Sequence, residues 1–226
     1  RTMHHHFGLH RQDTGVEQPG GVDLVLLGCG QIGRALVTLC REREAHFVER
    51  FGGPARVVGL ADRSGYVLSP QGVAPEALEG ILAAKEAGEG LGAQETGVSG
   101  SPAALVRAAL EYRLARPVVV DLTDADDAAA ALAEALALGA DVVTANKKPL
   151  AGDVADYHRL QEAAQRTGRF LRAEATVGAG LPVMDTLEML LASGDRLVAA
   201  QGCFSGTLNF VLSRLEDDVV FSQAVA

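Results

Sequence analysis

The sequence predicts an α/β fold: a doubly wound parallel sheet with helices on both faces, followed by the start of an α+β unit. Three observations predict it. Short, nearly continuous apolar runs recur at 22–27, 56–61, 117–122 and 140–144, the pattern of strands buried on both faces. Ala- and Leu-rich stretches of helical length separate them, as in βαβ units with right-handed crossovers. Gly33, Asp62, Thr123 and Asn146 all fall just after these runs, on the sheet edge where such folds bind ligands.

Taken in order, strand 22–27 leads into a glycine turn. Ile32, Ala35, Leu36 and Leu39 then recur at helical spacing. Strand 56–61 ends at Asp62. Helices follow at 75–87 and 102–114, each opened by a proline suited to a first helical turn. The Gly-rich stretch 88–100 between them reads as a loop. Strand 117–122 is followed by an alanine-dominated helix to about residue 138, and strand 140–144 comes next. Beyond it the pattern predicts helix 153–168, strand 169–175, a helix from Pro182 to about 193, strand 196–204, helix 206–215 and a short helical segment from Phe221. The domain reading is a tail over 1–21, a first α/β domain over 22–150, and part of a second domain over 151–226. His4-His5-His6 mark the tail as tag-like or disordered.

Composition removes several function classes. A net charge of −9 with no basic patch repels a phosphate backbone. Aromatic content of 4% without tryptophan leaves no base-stacking platform, so no nucleic-acid partner is expected. No apolar run reaches bilayer length, so no membrane partner is expected either. Cys29, Cys40 and Cys203 are widely spaced and odd in number, which reads as reduced thiols in a cytoplasmic protein.

Four motifs carry chemistry. In Gly28-Cys29-Gly30-Gln31-Ile32-Gly33, Gly28 permits a tight turn, Gly30 lets backbone approach a pyrophosphate, and Gly33 allows close helix–strand packing. The helix N-terminus, beginning at Gln31 and Ile32, supplies unpaired N–H groups to the phosphates. This predicts a Rossmann-type dinucleotide site. Asp62 suits the ribose 2′-hydroxyl of NAD, while the adjacent Arg63 suits the 2′-phosphate of NADP. The two pull in opposite directions, and NADP is somewhat favoured. Thr123 can meet the nicotinamide side or cap the next helix. In Asn146-Lys147-Lys148-Pro149, Lys147 is the candidate to hold a substrate oxygen and stabilise developing charge, with Lys148 left to solvent. From Glu174 to Pro182, the carbonyls of Val177, Ala179 and Leu181 can converge with the Glu174 carboxylate on a hard, monovalent cation, or the glycines simply ease the chain into a helix. Around Cys203 to Phe210, Ser205 can cap a helix, and the N–H groups of Gly206 and Thr207 can hold a substrate carboxylate.

In this order, the glycine loop, the Asn146-Lys147-Lys148-Pro149 turn, Val177-Gly178-Ala179-Gly180-Leu181-Pro182 and Phe204-Ser205-Gly206-Thr207-Leu208-Asn209-Phe210 resemble homoserine dehydrogenase. They are most like the form fused to aspartate kinase, and no kinase segment is present. The resemblance implies interconversion of L-homoserine and L-aspartate 4-semialdehyde with NAD or NADP, in threonine, methionine and isoleucine biosynthesis. It implies Lys147 at the cofactor and the active site, Thr123 at the nicotinamide, and Glu174, Val177, Ala179 and Leu181 as a sodium set. It also implies Gly206 and Thr207 beside the substrate, with 22–150 as the NAD(P)-binding domain and 151–226 as part of a substrate-binding and dimerisation domain. Asp124 stands where many family members carry a hydroxyl. The family's later segment, with substrate-binding carboxylates and a proton-donating lysine, would follow Ala226, so the polypeptide is expected to be an incomplete catalyst. An apolar face left by the unfinished second layer suggests a homo-oligomer. The alternatives are a non-catalytic dinucleotide-binding protein, or a reductase of another small amino-acid-derived carbonyl.

Overall fold

The computed structural model describes residues 20–225; the predicted tail lies almost wholly outside them. Seven strands form one sheet in the order β4-β3-β2-β1-β5-β6-β7. They are β1 (Val22–Leu27), β2 (Ala55–Ala61), β3 (Tyr66–Leu68), β4 (Gly97–Val98), β5 (Pro117–Asp121), β6 (Asp141–Thr144) and β7 (Leu171–Arg172). The pairings β2–β1–β5–β6–β7 are all parallel. The helices are α1 (Gln31–Glu42), α2 (Glu44–Phe51), α3 (Pro75–Glu86), α4 (Pro102–Leu110), α5 (Ala128–Ala137), α6 (Lys148–Ala151), α7 (Val154–Thr167), α8 (Val183–Ala192), α9 (Gly206–Glu216) and α10 (Phe221–Ala224).

Alternation along β1 makes the sheet two-sided, because successive side chains point to opposite faces. Leu24 and Leu26 pack with Val37 and Cys40 of α1 and Leu78 and Ile81 of α3. Val25 and Leu27 pack with Leu105 and Ala109 of α4, Leu132 and Leu136 of α5, and Leu160 of α7. Helices therefore cover both faces, as the apolar runs required. β1 pairs with β2 on one side and β5 on the other, so the strand order reverses there. That reversal is where an open α/β sheet has its ligand crevice.

The register sets the carboxyl edge. Leu27 is level with Ala61 and with Asp121, and Asp121 with Thr144. Gly28, Asp62, Thr123 and Asn146 consequently emerge within one or two residues of a common line. At the opposite edge Asp23, almost fully buried, accepts from Arg56 (2.9 and 2.6 Å) and from the Ala115 amide (2.9 Å). That pairing ties β1, β2 and the approach to β5 together.

Several expectations are corrected. The sheet is not wholly parallel: β3 runs antiparallel to β2, and β4 to β3. The stretch 88–100 holds β4 and a 3-10 turn, Leu91–Ala93, with Leu91 fully buried. Short strands of two or three residues carry too little periodicity to read. The strand expected over 169–175 is only Leu171–Arg172, followed by a 3-10 turn over Glu174–Thr176. The strand expected over 196–204 does not form. Val198 is 96% exposed, and an extended segment without a neighbouring strand has no ladder to satisfy its backbone groups. Helices α8 and α9 do form, yet neither has a buried residue. Leu181, Met189, Leu191, Leu208, Phe210 and Leu212 all lie exposed.

Candidate functional site: a cleft at the strand reversal

A cleft of about 810 Å³ opens at the carboxyl edge. Its floor is the glycine turn at Gly28, Cys29 and Gly30. One wall is Asp62, Arg63, Ser64 and Lys85, and the other is Leu122, Thr123, Asp124, Ala125 and Asp127.

The three loop glycines are needed for different reasons. Gly28 has φ +102°, and a Cβ there would lie 2.8 Å from the Leu122 carbonyl carbon and oxygen. A Cβ on Gly33 would meet the Gly28 carbonyl at 2.3 Å, so strand and helix touch through backbone. A Cβ on Gly30 would meet nothing within 4 Å; it borders open space within the cleft. Gly30 is the N-cap of α1, no side chain caps the helix, and its first turn holds no acidic residue. Unpaired N–H groups and the positive end of the helix dipole are thus offered to an anion. These residues fit a dinucleotide pyrophosphate.

Asp62 lies in the cleft wall, but its carboxylate is occupied. One oxygen accepts from the Ser64 amide (2.7 Å), the Ser64 hydroxyl (2.7 Å) and the Gly65 amide (3.2 Å). The other accepts from Lys85 Nζ (2.5 Å) and the Leu91 amide (3.0 Å). Burial alone would raise its pKa, yet the hydrogen bonds from Lys85, Ser64 and Leu91 outweigh burial and lower it to about 2. The side chain fastens the end of β2 to α3 and to the 3-10 turn. Arg63 and the half-buried Arg34 of α1 also line the cleft. Sequence reasoning missed Arg34, Lys85 and Ser64. Arg34 follows Gly33 directly and was within reach of a motif reading, whereas Lys85 arrives only through the packing of α3. Cys29, in the loop itself, is buried, and burial pushes its thiol pKa up.

The far wall is held by polar side chains. Asp121, fully buried, accepts from the Thr123 amide (3.0 Å) and hydroxyl (2.6 Å), and from the Thr144 hydroxyl (3.3 Å). Asn146, also buried, donates to the Ala125 carbonyl (2.8 Å) and to Thr123 Oγ1 (3.4 Å). Lys148 is not left to solvent as expected. Its Nζ donates to the Asp124 carbonyl (2.8 Å) and pairs with the carboxylates of Asp124 and Asp126 (3.1 Å each). Those hydrogen-bonded carboxylates, Asp124 foremost, raise its pKa.

Lys147 is exposed and makes no side-chain hydrogen bond or ion pair among the described residues. It does not line the cleft. It stands at the end of β6, two strands from β1, roughly 10 Å away at ordinary interstrand spacing.

The remaining predicted residues lie outside the cleft lining. Glu174 accepts from the amides of Met184 (3.1 Å) and Asp185 (2.6 Å) and so caps α8. The Asp185 amide leads the hydrogen bonds that lower its pKa, against burial. Gly178 and Ala179 are both left-handed, at φ +74° and +54°, and the Leu181 carbonyl accepts from the Val183 amide (2.9 Å). Two of the four expected sodium donors are therefore turned toward the start of α8. Among the described residues, no cluster of three His, Cys, Asp or Glu side chains forms a metal site. Gly178 donates to the Phe204 carbonyl (3.3 Å), joining this segment to the Ser205-Gly206-Thr207 corner. Ser205 caps α9 through the Leu208 amide (3.2 Å), and Gly206 and Thr207 are exposed.

Residues 28–174 match the family profile described as the NAD binding domain of homoserine dehydrogenase, and residues 182–226 match the homoserine dehydrogenase profile. The chain belongs to the homoserine dehydrogenase family. It is 30% identical over 206 residues to a bifunctional aspartokinase/homoserine dehydrogenase of Haemophilus influenzae, covering 91% of this chain and 24% of that protein. A chloroplastic relative from Arabidopsis thaliana is 30% identical over 228 residues, covering 100% and 23%. A hyperthermophilic archaeal homoserine dehydrogenase in complex with NADPH superposes with a TM-score of 0.69 at 26% identity, covering 91% of this chain and 59% of that one. The chain thus spans about a quarter of the curated relatives it matches. Among the described residues no helix is long and apolar enough to cross a membrane.

Proposed function

We propose that this chain binds NADP in preference to NAD and supplies the nucleotide-binding part of a homoserine dehydrogenase. The reaction would interconvert L-homoserine and L-aspartate 4-semialdehyde. The observation that carries this is the cleft at the strand reversal, with Gly30 at an uncapped helix N-terminus as its floor. The archaeal relative's NADPH complex supports the same cofactor class.

The cofactor preference follows from the β2 wall. A ribose-reading carboxylate must have lone pairs free for the 2′-hydroxyl, and those of Asp62 are taken by five internal donors. Arg34 and Arg63 bring positive charge to the same cleft, while Lys85 is paired with Asp62, and a charge-assisted bond to a 2′-phosphate contributes roughly 1.5–3 kcal/mol. A bound nicotinamide dinucleotide supplies or accepts the hydride. Thr123 would orient its nicotinamide side, Lys147 would hold the reacting substrate oxygen, and the amides of Gly206 and Thr207 would hold the substrate's amino-acid end. Glu174, Val177, Ala179 and Leu181 would form a sodium set, with the Glu174 carboxylate shared between ion and helix cap.

Calorimetric titration of the chain with NADPH and NADH tests the first half; NADPH should bind about tenfold more tightly, and equal or weaker binding removes the preference. Nicotinamide oxidation with aspartate semialdehyde by the full-length enzyme, with Lys147→Ala as control, tests the second. One observation favours a second reading, a dinucleotide-binding protein without turnover: Lys147 lies outside the cleft lining. Tight NADPH binding with no oxidation of it by the full-length enzyme would select that reading.

A further inference from the structure

The Asn146-Lys147-Lys148 turn grips the opposite loop at two successive carbonyls. Asn146 Nδ2 donates to the Ala125 carbonyl at 2.8 Å, and Lys148 Nζ to the Asp124 carbonyl at 2.8 Å. These two side chains flank Lys147, the residue of the three whose own side chain has no partner among the described residues. Asn146 is pinned in turn: its Oδ1 accepts from the Lys148 amide (3.1 Å), and its amide donates to Thr144 Oγ1 (3.0 Å). The gripped loop carries Thr123, whose hydroxyl is also fixed in polarity. Its one proton is donated to Asp121 Oδ1, 2.6 Å away, and a hydroxyl has no second proton to give. Thr123 is then left as an acceptor toward the cleft, with only long contacts from the Ala125 amide (3.3 Å) and Asn146 (3.4 Å) on its lone pairs.

We propose that Asn146 and Lys148 are positioning residues: a two-point clamp that holds the Thr123–Asp126 loop in register with Lys147 and so shapes the nicotinamide end of the cleft. The clamp touches neither the glycine turn nor the Arg63–Lys85 wall, so the adenosine end does not depend on it. The proposal rests on the dinucleotide reading of the cleft, and its test separates the two. Packing alone does not require the Lys148 arm of the clamp, since the half-buried Lys148 pairs with exposed carboxylates and such ion pairs add little to stability.

The test compares NADPH with 2′-phospho-ADP-ribose, which keeps the adenosine, both phosphates and the 2′-phosphate but lacks nicotinamide. Binding of each is measured by calorimetry to the unmodified chain, to Asn146→Ala and to Lys148→Met. Each substitution should weaken NADPH by roughly tenfold, the scale of a lost hydrogen bond to an ordered loop. Affinity for 2′-phospho-ADP-ribose should stay within about twofold. Equal losses for both ligands, or no loss for either, overturns the clamp. Should Asn146→Ala fail to fold, the Lys148→Met variant decides alone. Failure of the unmodified chain to bind either ligand overturns the dinucleotide reading and the clamp with it.

Discussion

Asp62→Asn discriminates between a residue that reads the cofactor and one that fastens the fold. The asparagine Oδ1 can still accept from the Ser64 and Gly65 amides. Its Nδ2 must then face Lys85 Nζ and the Leu91 amide, donor against donor. The native carboxyl has its pKa lowered from 3.8 to about 2, and at 1.36 kcal/mol per unit this is about 2 kcal/mol. For a chain of this size that is roughly 4–8 °C in Tm. The sign follows from linkage. A folded-state pKa below the unfolded one gives stability that is fully present above the unfolded value and lost as pH falls through the folded value. The stability gap between unmodified and Asp62→Asn protein should therefore be full at pH 6 and narrow as the pH drops from about 5 toward 2. Urea unfolding at a series of pH values measures it, with NADH and NADPH titrations alongside. Unchanged stability together with a selective loss of NADH affinity would refute the fastening role and return Asp62 to the ribose.

The loop glycines give a second, paired test. Gly33→Ala should destabilise the fold by at least about 1–3 kcal/mol, because its Cβ would sit 2.3 Å from the Gly28 carbonyl. Gly30→Ala should melt like the unmodified chain, having nothing within 4 Å, yet lose NADPH affinity; thermal melts and titrations of both report this. Glu174→Ala should speed hydrogen exchange at the Met184 and Asp185 amides, which lose their acceptor, while leaving NADPH affinity unaltered. If Glu174 also holds sodium, replacing sodium chloride with potassium chloride should lower the Tm of the unmodified chain and not of this variant. Lys85→Met should release Asp62, raising its pKa and weakening both fold and NADPH binding, read by the same melts and titrations.

What pattern alone could reach was the parallel half of the sheet, the helices that cover it and the edge that carries chemistry. Buried parallel strands need apolar residues on both faces, so 22–27, 56–61, 117–122 and 140–144 announce themselves, and register then brings Gly28, Asp62, Thr123 and Asn146 level. Capping chemistry is similarly local, and Ser205 does cap its helix. Side-chain allegiance is not local. Asp62 could serve a ribose or the fold until α3 delivered Lys85 and the 3-10 turn delivered the Leu91 amide. Lys148 could face water until the loop after β5 placed Asp124 and Asp126 against it. The strand expected at 196–204 failed for the same reason, since alternation marks a face without providing a neighbour to pair with. Periodicity and turn chemistry reside in contiguous residues and can be read along a chain; hydrogen-bond partners come from elsewhere in the chain, and only packing in three dimensions assigns them.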